Sequence, residues 1–515
     1  MRLGDRGRIL IVAGLLHLAA RASAPTGETV RLTILHTNDV HGRLLPFAYA
    51  EQGRGGALRE DVGGAARRAT LIRRLRAEIP GDELLLDAGD VFTRGALTNA
   101  YEGQADIAAM NVAGYDAGAI GNNEFKARDA VDAGDARGSQ AALLRFVRAS
   151  RFPWLCANLA DGTGKPLPGI RPYVIKRING LRVGIVSVTA PRSAGYPQTR
   201  GWRITDPFAA MKSVVPEVRK RCDIVIALTH IGMPMDLLLA GSVDGIDAIV
   251  GGDSHTFLYE PLWVTGPSGR RVPIVQDGEY GVNVGRLDLN FGRVDGDYRL
   301  VSAEGRLTPV DGSLPADPKV QRVLAPFLRP FEKVIGGIPD PGATRESRSR
   351  VTTQLTVDAM RRAAGTDLAL NPLGAGLIDV LTRSRVRRYD LYAAMPFRNI
   401  VITVLLRGAE VRELLRKYPS TCWSGDLDSV QPDRIYRVAM VDYVADTEYR
   451  IPSVRIIDRG VDIRVAVERY LASSFRSSAT TPTPGARSTA SRSPSPFLRA
   501  LKLPRDPGIA AGGVG

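Results

Sequence analysis

Between residues 30 and 300, short apolar runs rich in β-branched residues alternate with stretches whose apolar positions recur at helical spacing. The runs 30–35, 84–86, 183–188, 224–228 and 248–250 predict strands of a largely buried sheet. Segments 65–79, 140–147 and 209–218 repeat apolar residues at helical spacing and predict helices between the strands. The alternation predicts an α/β layered domain over 30–310. A Pro- and Gly-containing stretch at 309–318 interrupts it, a helix is expected over 320–335, and 336–342 breaks the pattern again. This assigns 311–344 to a linker helix and 345–474 to a smaller α/β domain, with helices at 355–364 and 411–417 and strands at 401–406 and 436–441. Beyond residue 474 the chain turns to Ser, Thr, Pro, Ala, Arg and Gly, too few large apolar residues to offset ordering entropy, so 475–515 reads as a disordered tail.

A length of 515 residues agrees with two cores rather than one. The amino terminus reads as an export signal over 1–24: Arg2, Arg6 and Arg8 precede an apolar stretch and the small-residue exit Ala22-Ser23-Ala24. Export to the periplasm or exterior is therefore expected, with no stable membrane insertion after cleavage. The net charge of +15 suggests a nucleic-acid partner until it is divided. The leader carries +3 and residues 471–515 carry +5, which leaves +7 for the body of the chain. That is a mildly basic surface suited to small anionic substrates, with no basic, aromatic-interleaved helix to grip duplex nucleic acid. The three cysteines, Cys156, Cys222 and Cys422, make no disulfide framework and no CxxC metal knot. Nothing in the sequence fixes the oligomeric state.

Chemistry enters where the apolar runs end. The first strand runs into Asp39-Val40-His41, the second into Asp87-Ala88-Gly89-Asp90, and Ala119-Ile120 into Gly121-Asn122-Asn123-Glu124. Two more runs end in Thr229-His230 and in Gly251-Gly252-Asp253-Ser254-His255. A single Asp-x-His after a strand is more often a cap or turn than a metal ligand. Five such signals in succession place Asp, His and Asn along one sheet edge, where open α/β folds put their ligands. Imidazole, carboxylate and amide oxygen together suit a pair of divalent cations with one carboxylate bridging. Of the five histidines, His17 lies in the leader and His36 reads as a strand residue; the other three fall on these strand ends.

This set resembles the calcineurin-like metallophosphoesterase family, and its order with segment 35–41 is similar to the periplasmic or extracellular 5′-nucleotidase branch. Met395-Pro396-Phe397-Arg398-Asn399 and Leu406-Arg407-Gly408-Ala409-Glu410 are similar to that branch's carboxy-terminal nucleotide-binding domain. The resemblance implies a four-layer β-sandwich flanked by helices, with a smaller α/β carboxy-terminal domain. It implies two divalent ions, Mn²⁺, Mg²⁺ or Zn²⁺: one on Asp39, His41 and His255, a second on Asn122 and His230, and Asp90 between them. Water acidified between the ions would attack the phosphorus of a small phosphoester, a nucleoside 5′-monophosphate by resemblance. It also implies that Phe397 stacks on the base, with Tyr449 as partner, and that Arg348 lies on the phosphate or ribose side.

Three positions depart from the family pattern. Asn123 stands where the family has the imidazole that serves the leaving oxygen, and an amide is no acid. It can still hydrogen-bond a phosphate oxygen. Asp253 replaces an imidazole ligand and is expected to bind the second ion, favouring Mn²⁺ or Mg²⁺. The segment Asn371-Pro372-Leu373-Gly374-Ala375-Gly376-Leu377 lacks the family's terminal Arg and leaves Asn371 as a base or ribose contact. These departures keep two alternatives open: a hydrolase of phosphodiesters or other oxyanion esters with good leaving groups, and a non-catalytic descendant that binds nucleotide or metal.

Overall fold

The computed structural model describes residues 29–50, 59–127, 135–342 and 344–479. The expected leader and most of the expected tail lie outside them. Two sheets form the centre of the first domain. One has seven strands, in the order Asp297–Pro309, Asn283–Val294, Val30–Thr37, Glu83–Asp87, Ala117–Ala119, Trp154–Leu155 and Ile170–Arg171. The other has six, in the order Leu262–Thr265, Arg271–Val275, Ala248–Val250, Ile224–His230, Leu181–Thr189 and Tyr173–Ile178.

Alternate residues of the apolar strands point to opposite faces, and both faces are dry. Leu32, Ile34, Leu84 and Leu86 meet Val183, Ile185, Ile224 and Ile226 between the sheets. Leu35 and Leu85 face outward onto Leu71, Ile72 and Ile107 of the helices Ala65–Ala77 and Gln104–Ala113. Val186 and Val225 face outward onto Met211 and Val215 of the helix Pro207–Arg219. Helix, sheet, sheet, helix is the four-layer arrangement that the uninterrupted strand hydrophobicity demands.

Register decides the function of this layering. In the first sheet Thr37 lies opposite Asp87 in parallel strands, and Asp87 lies opposite Gly118. In the second, Thr189 lies opposite His230 and Leu228 opposite Val250. The carboxyl ends of these strands therefore open side by side on one edge. The long hairpin Asn283–Val294 and Asp297–Pro309, with Asp295 and Gly296 both at positive φ as a tight hairpin turn requires, pairs antiparallel with Val30–Thr37 and completes the sheet.

The link to the second domain is shorter than expected. The helix spans Pro318–Leu328, because Pro330 removes an amide and blocks the next turn. The strand Val334–Gly337 already pairs with Arg385–Arg387, so the second unit begins within the expected linker. Its sheet runs Thr421–Ser424, Leu368–Pro372, Ile435–Val441, Ile400–Arg407, Ile456–Asp462, and packs on the helices Arg345–Ala364 and Ile463–Ala479. The last helix continues past 474, into what composition assigns to the tail.

Candidate metal centre

His230 is the last residue of its strand, and the other candidate ligands sit on bends just beyond theirs. Asp39, His41, Asp90, Asp253 and His255 all adopt the left-handed region, with φ of 50°, 47°, 59°, 83° and 55°. Such conformations cost about 1–3 kcal/mol each and persist only where the surroundings fix them. Here Asp39 N–H donates to Gly89 O at 2.9 Å and His41 N–H to Asp90 O at 3.0 Å, which ties the first two loops together. Glu124 ties the second to the third by accepting from the N–H groups of Gly121 at 2.7 Å, Asp90 at 3.0 Å and Phe92 at 3.0 Å. Burial, then the neighbouring Asp90 charge, pushes the Glu124 carboxyl up to about 8. Gly121 must be glycine, since a Cβ there would lie 2.2 Å from Asp90 Oδ1.

The imidazoles are oriented through their far nitrogens. His41 Nδ1 bonds Phe92 O at 3.0 Å, His230 Nδ1 bonds Ala88 O at 2.7 Å, and His255 Nδ1 pairs with Glu279 Oε2 at 2.6 Å. Each Nε2 is thereby turned to the centre, the arrangement that raises ligand basicity in metal sites. His41 Nε2 and His255 Nε2 are 3.1 Å apart, His255 Nε2 is 3.3 Å from Asp39 Oδ1, and His230 Nε2 is 3.2 Å from Asp90 Oδ1. Asp39 Oδ1 and His230 Nε2 are buried with no hydrogen-bond partner. Two overlapping groups, Asp39 with His41 and His255, and Asp39 with Asp90 and His230, each bring three ligand atoms within 4.8 Å of one another.

The electrostatics describe a cavity short of positive charge. Burial disfavours an imidazolium at His255, but the carboxylates of Asp39 and Glu279 push it up to about 10. Burial is likewise opposed at His230, where Asp90 and Asp39 hold the imidazole well above its ordinary value. Burial, with Arg94 nearby, brings His41 down to about 4. Oxygen and nitrogen donors around uncompensated buried carboxylates fit a divalent cation.

The comparisons with known proteins agree with this geometry. Residues 32–257 match the family described as calcineurin-like phosphoesterase, and residues 334–430 match the 5′-nucleotidase C-terminal domain. A 5′-nucleotidase of Vibrio cholerae is 30% identical over 476 residues, covering 79% of this chain and 80% of that protein. The chain belongs to the 5′-nucleotidase family of calcineurin-like phosphoesterases. The rat 5′-nucleotidase is 34% identical over 284 residues, 51% of this chain and 47% of that one, so the chain spans about half the length of such animal relatives. The structure of a 5′-nucleotidase precursor from Thermus thermophilus superposes with a TM-score of 0.64 at 26% identity, covering 87% of this chain and 97% of that one. Members of the family use divalent metals. Among the described residues no helix is long and apolar enough to cross a membrane.

Asn123 faces Asp90: its N–H donates to Asp90 Oδ1 at 2.8 Å and its Nδ2 to Asp90 Oδ2, so the amide clamps a carboxylate rather than standing free for a phosphate oxygen. Asp253 lies in neither three-ligand group, although its Oδ1 is 3.6 Å from His230 Nε2. Both Asp253 and Asn122 accept instead from Arg192, a residue that the sequence reading passed over. The available signal was positional: the run 183–188 is a sixth apolar strand on the same edge, and Arg192 follows it directly. His36 is the strand residue expected, buried against Gly285, and burial lowers it to about 3.

The substrate-side expectations fare unevenly. Phe397 is half-buried in a loop held to the first domain by Asn99 Nδ2, which donates to Pro396 O at 2.9 Å. Tyr449 is 7% exposed, its ring lies 5.2 Å from Tyr418 and its hydroxyl bonds Thr421, so it is a core residue and not a face for a base. Asn371 is buried and spends its amide N–H groups on Pro372 O and Ala375 O, which shapes its own turn. Arg348 is buried too and joins Gly342 O to Glu60 of the first domain at 2.8 and 2.5 Å. Arg43, two residues past His41, makes a third tie, to Asp379 at 2.9 Å. Hydrogen bonds take up the Tyr449 hydroxyl, the Asn371 amide N–H groups and part of the Arg348 guanidinium, while Asn371 Oδ1 and Arg348 Nη1 are buried with no partner.

Proposed function

We propose that this chain is an exported metal-dependent phosphomonoesterase acting on small phosphoesters, nucleoside 5′-monophosphates foremost. The observation that carries the reading is the convergence of Asp39, His41, Asp90, His230 and His255 on one centre, in which Asp39 Oδ1 and His230 Nε2 are buried with no hydrogen-bond partner. Asp39, His41, Asp90 and His255 would hold the principal ion, with His230 beside them. A divalent ion bound there supplies Lewis acidity, neutralising phosphoryl charge and lowering the pKa of water. The chain's part is preorganisation: Glu279 aims His255, Phe92 O aims His41, and Asn123 fixes Asp90. Phe397 is the proposed base platform, the aromatic side chain on the loop that touches the first domain.

No acid stands at Asn123, so the leaving oxygen must depart as an anion or take its proton from solvent. Losing such assistance costs about 10²–10⁴-fold for a poor leaving group. This favours, as a second reading, esters with good leaving groups, aryl phosphates and phosphodiesters among them. One panel separates the readings: purified protein with Mn²⁺, Mg²⁺ or Zn²⁺ against AMP, a cyclic nucleotide and an aryl phosphate. Chelator-sensitive phosphate release from AMP is expected. Release from the aryl ester alone supports the second reading, and no release from any substrate by metal-loaded protein refutes both.

A further inference from the structure

Strand Leu181–Thr189 pairs in parallel with the strand that ends at His230, and turns at Pro191 to carry Arg192 onto the functional edge. Arg192 Nη1 donates to Asp253 Oδ2 at 2.8 Å; Nη2 donates to Asn122 Oδ1 at 2.6 Å and also to Asp253 Oδ1. One guanidinium nitrogen therefore lies between the two oxygens that Asn122 and Asp253 would offer to a shared cation. An ion ligated by both needs that same space, and would meet a permanent positive charge beside it. The second metal position, as the family pattern draws it, loses Asn122 and Asp253 to Arg192 and keeps only His230 with the Asp39 and Asp90 carboxylates. Charge bookkeeping leads to the same place: Asp253 brings a negative charge where an imidazole is neutral, and Arg192 cancels it.

We propose that the Arg192 guanidinium takes the place of the second divalent ion. Each chain then binds one ion tightly, on Asp39, His41 and His255 with the Asp90 carboxylate 3.9 Å from His41 Nε2, and presents a fixed organic cation on the Asn122 side. Half of the Arg192 side chain is exposed, so this cation faces arriving anions as a fixed positive charge. The inference rests on the reading of the site as a metal centre, but not on which ester is cleaved.

The test counts Mn²⁺. Metal-free full-length protein is loaded with excess Mn²⁺, passed through a desalting column and analysed by atomic spectroscopy and electron paramagnetic resonance. The wild type should retain one Mn²⁺ per chain with an uncoupled six-line spectrum. Arg192→Ala, which frees Asn122 and Asp253, should retain two with an exchange-coupled spectrum. Arg192→Gln carries the same expectation and replaces the alanine variant if circular dichroism shows that one unfolded. Two coupled ions in the wild type, or one ion in a folded Arg192 variant, would overturn the proposal. Metal counting needs no substrate, so the two conclusions fail separately. One Mn²⁺ without phosphate release sinks the proposed activity alone, whereas two Mn²⁺ with release sinks only the role of Arg192.

Discussion

Gly121→Ala perturbs the centre without replacing a ligand. The added Cβ would lie 2.2 Å from Asp90 Oδ1, 2.5 Å from Asp90 N and 2.7 Å from Glu124 Oε2, where ordinary contact begins at 3.4 Å. Something must therefore yield by more than 1 Å (3.4 against 2.2). The Asp90 backbone cannot give way cheaply, because Glu124 and the His41 amide hold it from both sides. The carboxylate must swing instead, and it breaks its bond from Asn123 as it leaves. Overpacking of this kind costs about 1–3 kcal/mol of stability. Displacing a reacting-centre group by about 1 Å costs on the order of 10²-fold in rate. Phosphate release from AMP with Mn²⁺, retained Mn²⁺ and thermal midpoint would be read on the same preparation. Gly241→Ala is the control: it lies on an exposed helix turn, its Cβ would meet Val264 Cγ1 at 3.8 Å, and it should raise the midpoint without changing turnover. Full Mn²⁺ retention and a turnover within about threefold of wild type in Gly121→Ala would refute the assignment of Asp90 to the centre.

Other perturbations probe separate parts of the argument. Asp90→Asn removes a carboxylate 3.2 Å from His230 Nε2 and should abolish both activity and tight metal retention; intact metal content would contradict its role. Glu279→Gln leaves His255 without its 2.6 Å anionic partner and should weaken Mn²⁺ affinity by about 10–100-fold, measured by competition with a chelating dye. Phe397→Ala should raise KM for AMP while leaving that for a small aryl phosphate nearly unchanged; parallel changes would remove Phe397 from base recognition. Asp106, buried beside Thr98, has its carboxyl pushed up by burial to about 7, so the folded state holds this proton more tightly than the unfolded chain. Stability from this group is full below pH 4 and falls as pH rises to 7, by about 4 kcal/mol in order of magnitude. Asp106→Asn should therefore gain on the wild type across that window in urea titrations, and a constant difference from pH 4 to 8 would refute the assignment.

The layered α/β class and the chemistry of the edge were legible in the order of residues alone. Uninterrupted apolar runs have no solvent face, so they could only become central strands covered on both sides, and the polar residues at their ends had to emerge together. Asp39, His41, Asp90, His230 and His255 were legible for that reason. Tertiary structure alone decided what each polar group touches. Asn123 turns to Asp90 because loops from two parallel strands meet there, and Arg192 reaches Asn122 and Asp253 from a third strand across 70 and 61 residues of chain. Core packing takes up Tyr449, a local turn takes the Asn371 amide N–H groups, and Gly342 and Glu60 take two of the Arg348 donors. Local pattern records a residue's type and periodicity. Partners far apart in sequence are chosen by register and packing, and those belong to the folded chain.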